Sequence, residues 1–359
     1  MPQRSEIKRT LNQVFEAILP LLAVPVALVI GALILLLLRA NPGVAFAALV
    51  QGAVGSTFSI TQTLVKATPL LLVGLGITIA FRGGVINIGG EGQIIVGALS
   101  ATALALSLNQ APGWLLLPLC LLVGTLSGAL WGAVPGVLKA RLGVNEILST
   151  IMMNAIALQL SNYLLRGPMI DPAEIEAGTR IAQSALLPRQ AWLPRLVPQT
   201  LLHAGSVLAL VMAILVYIFL WRTTIGYRIR AVGLNPRAAR YAGIPVPVYQ
   251  ALAIILGGAF AGLAGAVEVM GVQRRMLEGL SGGYGFSGIV AALFGNLHPL
   301  GTIPASVLFG GLLVGADKLQ RAVQVPSAFV DTLMGLIVLF VVSSRIWAVR
   351  RARRRETYE

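Results

Sequence analysis

The polar side chains with the greatest chemical potential lie close together in residues 81–93, FRGGVINIGGEGQ. Among five glycines, this strip carries Arg82, Asn87, Glu91 and Gln93. A charged side chain at the centre of a membrane helix costs about 2.5–3.5 kcal/mol on insertion scales, and apolar sequence flanks the strip on both sides. A chain that only had to cross lipid would not carry it. Asn87 and Glu91 are four residues apart, and we expect them to share one helical face.

Two interpretations of this strip stay open at the level of sequence. The first is structural: its glycines allow helices to pack closely, and Glu91 bonds to backbone groups that a broken helix leaves free. The second is functional: the strip lines a water-filled path, and its polar groups contact a solute. The two interpretations do not exclude each other.

The rest of the sequence offers little for catalysis. It contains no GxxxxGK[ST] phosphate-binding loop, so the chain does not bind ATP through that motif. The two histidines, His203 and His298, are far apart and have no cysteine or carboxylate cluster beside them, which argues against a zinc site. The lone Cys120 lies in an apolar run, and no nucleophile–base constellation stands out. We therefore predict a protein that is not an enzyme and holds no catalytic residue, metal or cofactor of its own.

Composition sets the fold class. Of the 359 residues, 57% are hydrophobic and 11% are charged, whereas a soluble domain carries about 25% charged residues. The sequence predicts an all-α polytopic membrane protein, with about ten transmembrane helices at about 20 residues each. No stretch is long and polar enough for a separate soluble domain, so residues 1–359 are predicted to form a single transmembrane domain. The net charge of +14 lies in short loops and tails, which indicates membrane orientation and not nucleic acid binding.

Apolar runs and turn signals place the ten helices. Their predicted bounds are 17–39, 67–81, 85–108, 113–137, 143–165, 204–221, 250–272, a short segment beginning near Tyr284, 301–316 and 327–347. Basic residues mark a cytoplasmic N-terminal tail at 1–16, a cytoplasmic loop at 222–248 and a cytoplasmic tail at 348–359. The proline-rich, nearly neutral stretch 166–203 is predicted to be periplasmic, and ten crossings then place both termini in the cytoplasm.

Three features indicate broken helices. Residues 44–66 are moderately apolar and are predicted to be re-entrant or interfacial. Residues 288–297 are too short to span alone, so that helix must begin near Tyr284 or be broken. GGEGQIIVGAL (89–99) resembles GGYGFSGIVAAL (282–293), with an offset of one residue, which is consistent with the inverted repeats of transporters.

Two further polar stretches are candidate sites. GVNEILSTIMMN (143–154) places Asn154 deep in a helix, whereas Glu146 favours the N-terminus of that helix. In SGGYGFSGIVAALFGNLHP (281–299), Tyr284 is expected to anchor at the membrane interface. Phe286 either anchors in the same way or stacks on a flat solute.

The loop 222–250 has five arginines and no acid, which makes it the strongest orientation marker in the chain. A short helix is predicted at about 235–242, because Asn235 before Pro236 is a good arrangement for a helix start. This basic helix either serves topology alone or contacts a cytoplasmic partner.

Four stretches in this order resemble the inner-membrane permease family of bacterial ABC importers for branched-chain amino acids, ribose-type sugars and nucleosides, in its nucleoside and simple-sugar branch. They are FRGGVINIGGEGQ, GVNEILSTIMMN, AVGLNPRAARYAGI and YGFSGIVAALFGNLHPLG. The resemblance covers most of residues 60–345. It implies transport of nucleosides or related purines, with ribose-type sugars as the alternative solutes.

The resemblance also implies partners and residue roles. Such permeases pair as dimers, often with a second, non-identical permease, sit on two cytoplasmic ATPase subunits that bind ATP, and receive solute from a periplasmic binding lipoprotein. The long stretch 166–203 favours a heteromeric partner. An ATPase-coupling role carries to Gly233, Asn235, Arg237, Ala239 and Gly243. A path-lining role carries to Asn87, Glu91, Gln93 and Asn154, to which we add Phe286. An ion-coupled secondary transporter is a weaker alternative, since no buried acid cluster is visible in the sequence.

Overall fold

The computed structural model describes residues 25–326, 328–337, 339–340 and 343, and the described part is helical, with two isolated β-bridges and no strand. The predicted tails 1–16 and 348–359 lie outside the described residues. The helices are α1 (Pro25–Leu37), α2 (Pro42–Val54), α3 (Thr57–Arg82), α4 (Gly90–Ser107), α5 (Gly113–Leu142), α6 (Glu146–Arg166), α7 (Pro172–Glu176), α8 (Gly205–Arg222), α9 (Thr224–Leu234), α10 (Pro236–Tyr241), α11 (Val246–Glu268), α12 (Tyr284–Phe294), α13 (Pro299–Val323) and α14 (Ala328–Ile337). A π-helical turn, Val269–Gln273, continues α11.

The membrane class predicted from composition is confirmed. Six of the described helices are long and apolar enough to cross a membrane: α3, α5, α6, α8, α11 with its π-helical turn, and α13. Four shorter helices, α1, α2, α12 and α14, are also apolar. The 18-residue α4 has Glu91 and Gln93 in its first turn. The protein is therefore an all-α polytopic membrane protein, and the number of ten crossings stays a prediction.

The described residues form two compact units, one from the segments before residue 60 and after residue 311, the other from residues 60–311. In the described part of the first unit, helices meet at glycines. A Cβ at Gly31 would lie 3.1 Å from a Leu333 methyl carbon, and one at Gly52 would lie 2.8 Å from the Gly315 Cα. This close approach is typical of helix packing in membranes, where small residues allow dispersion contacts between backbones.

In the second unit, α11 packs against α4 and α5. These three helices also meet at glycines, because a Cβ at Gly128 would lie 2.6 Å from the Gly262 Cα, and one at Gly97 would overlap the backbone of Gly262. Most residues of α3 and α11 are buried, whereas most residues of α5, α6 and α8 are not. The residues of the polar strip therefore lie beside the most buried helices of the unit.

Two predicted boundaries are wrong for local reasons. Residues 44–66 are not one re-entrant segment, because α2 ends at Val54 and residues from Thr57 onward belong to α3. Ser56 provides a new start there, since its Oγ accepts the Ser59 N–H at 3.1 Å. The strip also fails to open a helix at residue 85, because α4 begins only at Gly90.

The loop 222–250 is more helical than predicted. The short helix expected at about 235–242 is present as α10, and the Asn235 side chain accepts the N–H groups of Arg237 and Ala238 at 3.0 and 3.1 Å. Before it, α9 occupies residues that were predicted to be irregular. The arginines of this segment indicated a loop, but the segment forms a helix in which Ile229 and Val232 are fully buried. The helix that contains residue 288 was predicted to begin near Tyr284 or to be broken; it begins at Tyr284 and ends at Phe294, after 11 residues.

Candidate functional site

The polar strip is a break between two helices. At the end of α3, the Val85 N–H donates to the Ala80 carbonyl at 3.1 Å, and Gly84 takes a left-handed conformation with φ +72°. This arrangement closes a helix with a left-handed glycine. Residues 83–89 are therefore not helical, and the prediction that Asn87 and Glu91 share a helical face is wrong.

Glu91 holds the N-terminus of α12. Its two carboxylate oxygens accept the N–H of Gly283 at 3.0 Å and the N–H of Gly285 at 2.8 Å. A carboxylate is favourable there because the first N–H groups of a helix lack helical partners and carry partial positive charge. The starts of α4 and α12 also touch, since a Cβ at Gly90 would lie 3.3 Å from the Gly285 Cα. These contacts agree with the structural interpretation of the strip, in which Glu91 bonds to backbone groups that a broken helix leaves free.

Arg82 holds the other end of α12. Its Nε donates to the Leu297 carbonyl at 2.9 Å, and a terminal nitrogen donates to the Asn296 carbonyl at 3.3 Å. These carbonyls follow the last turn of α12, where the helix dipole favours a cation. The strip therefore places a carboxylate at the N-terminus of α12 and a guanidinium just beyond its C-terminus.

Asn87 and Gln93 form a buried amide pair. The Asn87 Nδ2 donates to Gln93 Oε1 at 3.2 Å, Gln93 Nε2 donates to Asn87 Oδ1 at 3.4 Å, and Asn87 Oδ1 also accepts the Gly89 N–H at 2.9 Å. Both side chains are almost completely buried. In this chain they stabilise the turn before α4, and their path-lining role stays a prediction.

α6 supports the same turn from the side. The Asn154 Oδ1 accepts the Gly92 N–H at 2.9 Å, and its Nδ2 donates to the Ile88 carbonyl at 2.9 Å. One turn earlier, the hydroxyl of Thr150 accepts the Ile88 N–H at 3.4 Å. At the start of the helix, Glu146 pairs with Lys139 at 2.8 Å. Asn154 therefore joins the strip, as its depth in the sequence suggested, and Glu146 makes a local contact.

Sequence reasoning missed a polar cluster at the start of α12, formed by Lys66, Glu268 and Tyr284. The Lys66 Nζ donates to the Tyr284 hydroxyl at 2.8 Å and lies 5.3 Å from the centre of its ring. Glu268, the last residue of α11, is also buried. Ionisable residues inside apolar helices are functional candidates by default, and that signal would have found Lys66 and Glu268.

The cluster corrects one prediction. Tyr284 does not anchor at a membrane interface in this structure, because its side chain is buried against Lys66. Phe286, two residues further along α12, is about half exposed. Its path-lining role stays a prediction.

The five residues with a predicted ATPase-coupling role lie on α9 and α10 or beside them: Gly233, Asn235, Arg237, Ala239 and Gly243. Gly233 packs on the polar strip: a Cβ there would overlap the Arg82 carbonyl oxygen, and one at Gly84 would lie 2.9 Å from the Gly233 Cα. Ala239 is buried, and Arg237 is exposed. Asn235 caps α10, and Gly243 follows it with φ +77° and open space around its Cα. The loop and the strip were predicted separately, and the structure joins them backbone to backbone.

The stretch 166–203 ends in a buried histidine. His203 Nδ1 accepts the Gly205 N–H at 3.1 Å at the start of α8. This bond requires an unprotonated Nδ1. Burial lowers the pKa of His203 to about 4, because the charged imidazolium would lose its hydration there.

Comparison with known families decides the class of protein. The family model described as "Branched-chain amino acid transport system / permease component" matches residues 59–342, which include the strip, α6, α9, α10 and α12. The chain belongs to this permease family.

Three curated relatives of this permease are similar over nearly their whole length. The guanosine ABC transporter permease protein NupP of Bacillus subtilis is 38% identical over 93% of this chain and 94% of its own. The glucose ABC transporter permease protein TsgB13 of Haloferax volcanii is 34% identical over 91% and 87%. The nucleoside ABC transporter permease protein NupB of Lactococcus lactis is 32% identical over 92% and 92%. The family resemblance drawn from the four sequence stretches is confirmed.

Proposed function

We propose that this permease is the membrane subunit of a binding-protein-dependent ABC importer that carries nucleosides or related purines across the bacterial inner membrane. Separate ATPase subunits would bind ATP and drive transport, a second and non-identical permease would complete the membrane part, and a periplasmic lipoprotein would deliver solute. This chain would contribute no catalytic group. The guanosine and nucleoside permeases among its relatives support this solute class.

The observation that carries the coupling role is the exposed surface of α10. Arg237 and Arg240 are exposed and no acid lies near them in the sequence, and two apolar residues flank the helix, Leu234 at 83% and Tyr241 at 94% exposure. A basic surface with exposed apolar side chains is suited to a protein partner. This surface would face the cytoplasm, which is consistent with the positive-inside rule and with both termini on that side.

The proposal is tested by uptake of labelled guanosine into vesicles that contain the reconstituted complex. We expect uptake that requires ATP, the ATPase and the binding lipoprotein. Uptake that persists without the ATPase, or that follows a proton or sodium gradient, would contradict it and support a secondary transporter.

Coupling has its own test in the double variant Asn235→Asp with Arg237→Glu. Aspartate also caps helices well, so α10 should stay folded while its charge reverses. We expect solute-stimulated ATP hydrolysis to fall at least tenfold with normal amounts of permease in the membrane. Arg180→Glu, a charge reversal at an exposed site in 166–203, is the matched control and should hydrolyse ATP normally.

A sugar permease is the second candidate, because the relative from Haloferax volcanii is named for glucose. Competition separates the two. Unlabelled adenosine or inosine should inhibit guanosine uptake, and glucose or ribose in hundredfold excess should not. Inhibition by the sugars alone would favour the second candidate.

A further inference from the structure

The exposed surface of α6 changes character along the helix. In its first half, the exposed side chains include Met152 and Ile156, which suit a lipid or apolar neighbour. In its second half they are Leu158, Gln159, Tyr163 and Arg166, and Tyr163 is 72% exposed. α6 is about 32 Å long at a rise of 1.5 Å per residue, and Gln159 lies about 20 Å along it from Glu146. Gln159 is therefore within the depth of an apolar core of about 30 Å, where lipid is a poor neighbour for an amide.

The same polar half of α6 borders a cavity. The cavity is an open groove on the exposed side of α6, has a volume of about 540 Å³ and is lined by Gln159, Asn162, Tyr163, Arg166 and Gly167. Small-molecule sites typically have volumes of about 300–1,000 Å³. Arg166 is already held, because it pairs with Glu278 at 3.2 Å. Arg166 is thus already paired, and the side-chain amides of Gln159 and Asn162 and the ring of Tyr163 remain for a ligand.

One of the lining groups lacks a partner. The Asn162 Oδ1 is buried and finds no hydrogen-bond donor among the described residues. A buried unpaired acceptor costs free energy, and such a group in a native structure calls for a partner outside the chain. The protein encloses this oxygen, so the N–H or O–H of a bound molecule can reach it only when the Asn162 side chain turns toward the cavity.

We propose that this cavity, lined by Gln159, Asn162 and Tyr163, binds the base of a nucleoside on its way into the permease. A flat heteroaromatic base with N–H donors matches all three groups: its edge bonds to the two amides, and its face stacks on the Tyr163 ring. This inference rests on the proposed function, and it adds a solute site at a distance along α6 from Asn154 and the polar strip.

Cysteine accessibility tests the site without relying on transport. Cys120 is the single cysteine and is buried, so Cys120→Ala gives a background for Gln159→Cys and for the matched apolar control Ile156→Cys. In the assembled complex, a membrane-impermeant methanethiosulfonate reagent should label position 159 at least tenfold faster than position 156. Guanosine with its binding lipoprotein should slow labelling at 159 several-fold.

Each alternative gives a different result. Equal rates at the two positions mean that the face contacts lipid, and labelling at 159 only when the second permease is absent means that the face is a subunit interface. Either result overturns the proposal, as does fast labelling at 159 that guanosine does not slow.

Transport kinetics provide the second measurement. Removing the ring in Tyr163→Ala should raise the KM for guanosine about 5- to 100-fold, because base stacking on an aromatic side chain contributes affinity of that order. Tyr163→Phe should restore it. Absence of ATP-dependent guanosine uptake by the unmodified complex refutes the proposed function, whereas normal uptake with an unchanged KM in Tyr163→Ala refutes only the site.

Discussion

Glu91 makes the sharpest prediction, because one carboxylate satisfies two backbone N–H groups on another helix. Gly283 and Gly285 donate to its two oxygens at 3.0 and 2.8 Å. Glu91→Gln keeps the size of the side chain and one oxygen acceptor, but it turns an amide NH₂ toward the other N–H and removes the charge. Glu91→Ala removes both acceptors.

The magnitude follows from these contacts. A hydrogen bond to a charged group contributes about 1.5–3 kcal/mol, and a carboxylate at a helix N-terminus adds about 0.3–1 kcal/mol. Glu91→Gln loses one bond and the charge, so we expect the free energy of unfolding to fall by about 2–4 kcal/mol. Glu91→Ala loses both bonds, and we expect a larger loss of about 3–6 kcal/mol.

Thermal unfolding of the purified permease in nanodiscs measures the effect. At about 2–4 °C per kcal/mol, the Tm of Glu91→Gln should fall by about 4–16 °C. Glu278→Gln is the matched control: its side chain is 43% exposed and pairs with the exposed Arg166, so solvent screening leaves a change of less than about 1 kcal/mol. If the Tm values of the two variants agree within about 2 °C, Glu91 does not hold α12 in the way described.

Three other predictions follow from the same region and from its flank. Gly233→Ala should lose most coupling between ATP hydrolysis and uptake, because its methyl group would overlap the Arg82 carbonyl; Gly178→Ala, which meets open space outside the loop, should lose about 1–2 kcal/mol through strain at its positive φ and keep coupling. Asn154→Leu should lose two bonds to the strip backbone, lowering the free energy of unfolding by about 2–4 kcal/mol in a chemical unfolding series, and an unchanged midpoint would contradict that role. The pKa of His203 is about 4 in the folded protein and about 6.5 in the unfolded chain, so the unfolded chain binds the proton more readily. The free energy of unfolding should therefore fall by up to about 3 kcal/mol as the pH is lowered from 6.5 to 4. His203→Gln should remove that pH dependence from the Tm, and a dependence that survives the substitution would mean that another group titrates.

The predictions from sequence were most accurate where a signal within a few residues determines where a helix begins. Asn235-Pro236 marks the start of α10, and the length of 288–297 requires a short helix from Tyr284. Both features depend on backbone geometry within a few residues. The family resemblance worked for a similar reason, because its stretches are short and ordered along the chain.

The contacts of the site could not be predicted in this way. Glu91 and Gly285 are almost 200 residues apart, and nothing local to either residue names the other as its partner. The end of the helix before Gly83 was predicted, but the next helix was predicted to begin at residue 85, because no capping side chain marks Gly90 as the start of α4. Lys66 was overlooked because it closes a moderately polar run, whereas its role depends on Tyr284 from a distant segment.

These contacts explain how a membrane protein can keep both Arg82 and Glu91 beside apolar helices. Each charged side chain forms hydrogen bonds at one end of α12, an 11-residue helix about 16 Å long. The strip is therefore a rigid frame for α12, and Asn154 braces its middle. On its other side the frame meets α9 through Gly84 and Gly233, backbone against backbone, with no flexible side chain between them to absorb a shift. A force that moves α9 must then move the strip, and the strip carries both ends of α12 with it. If α10 couples to an ATPase as proposed, a movement of α9 would reach the broken helix through the Gly84–Gly233 contact and the strip, without a long chain of side-chain contacts.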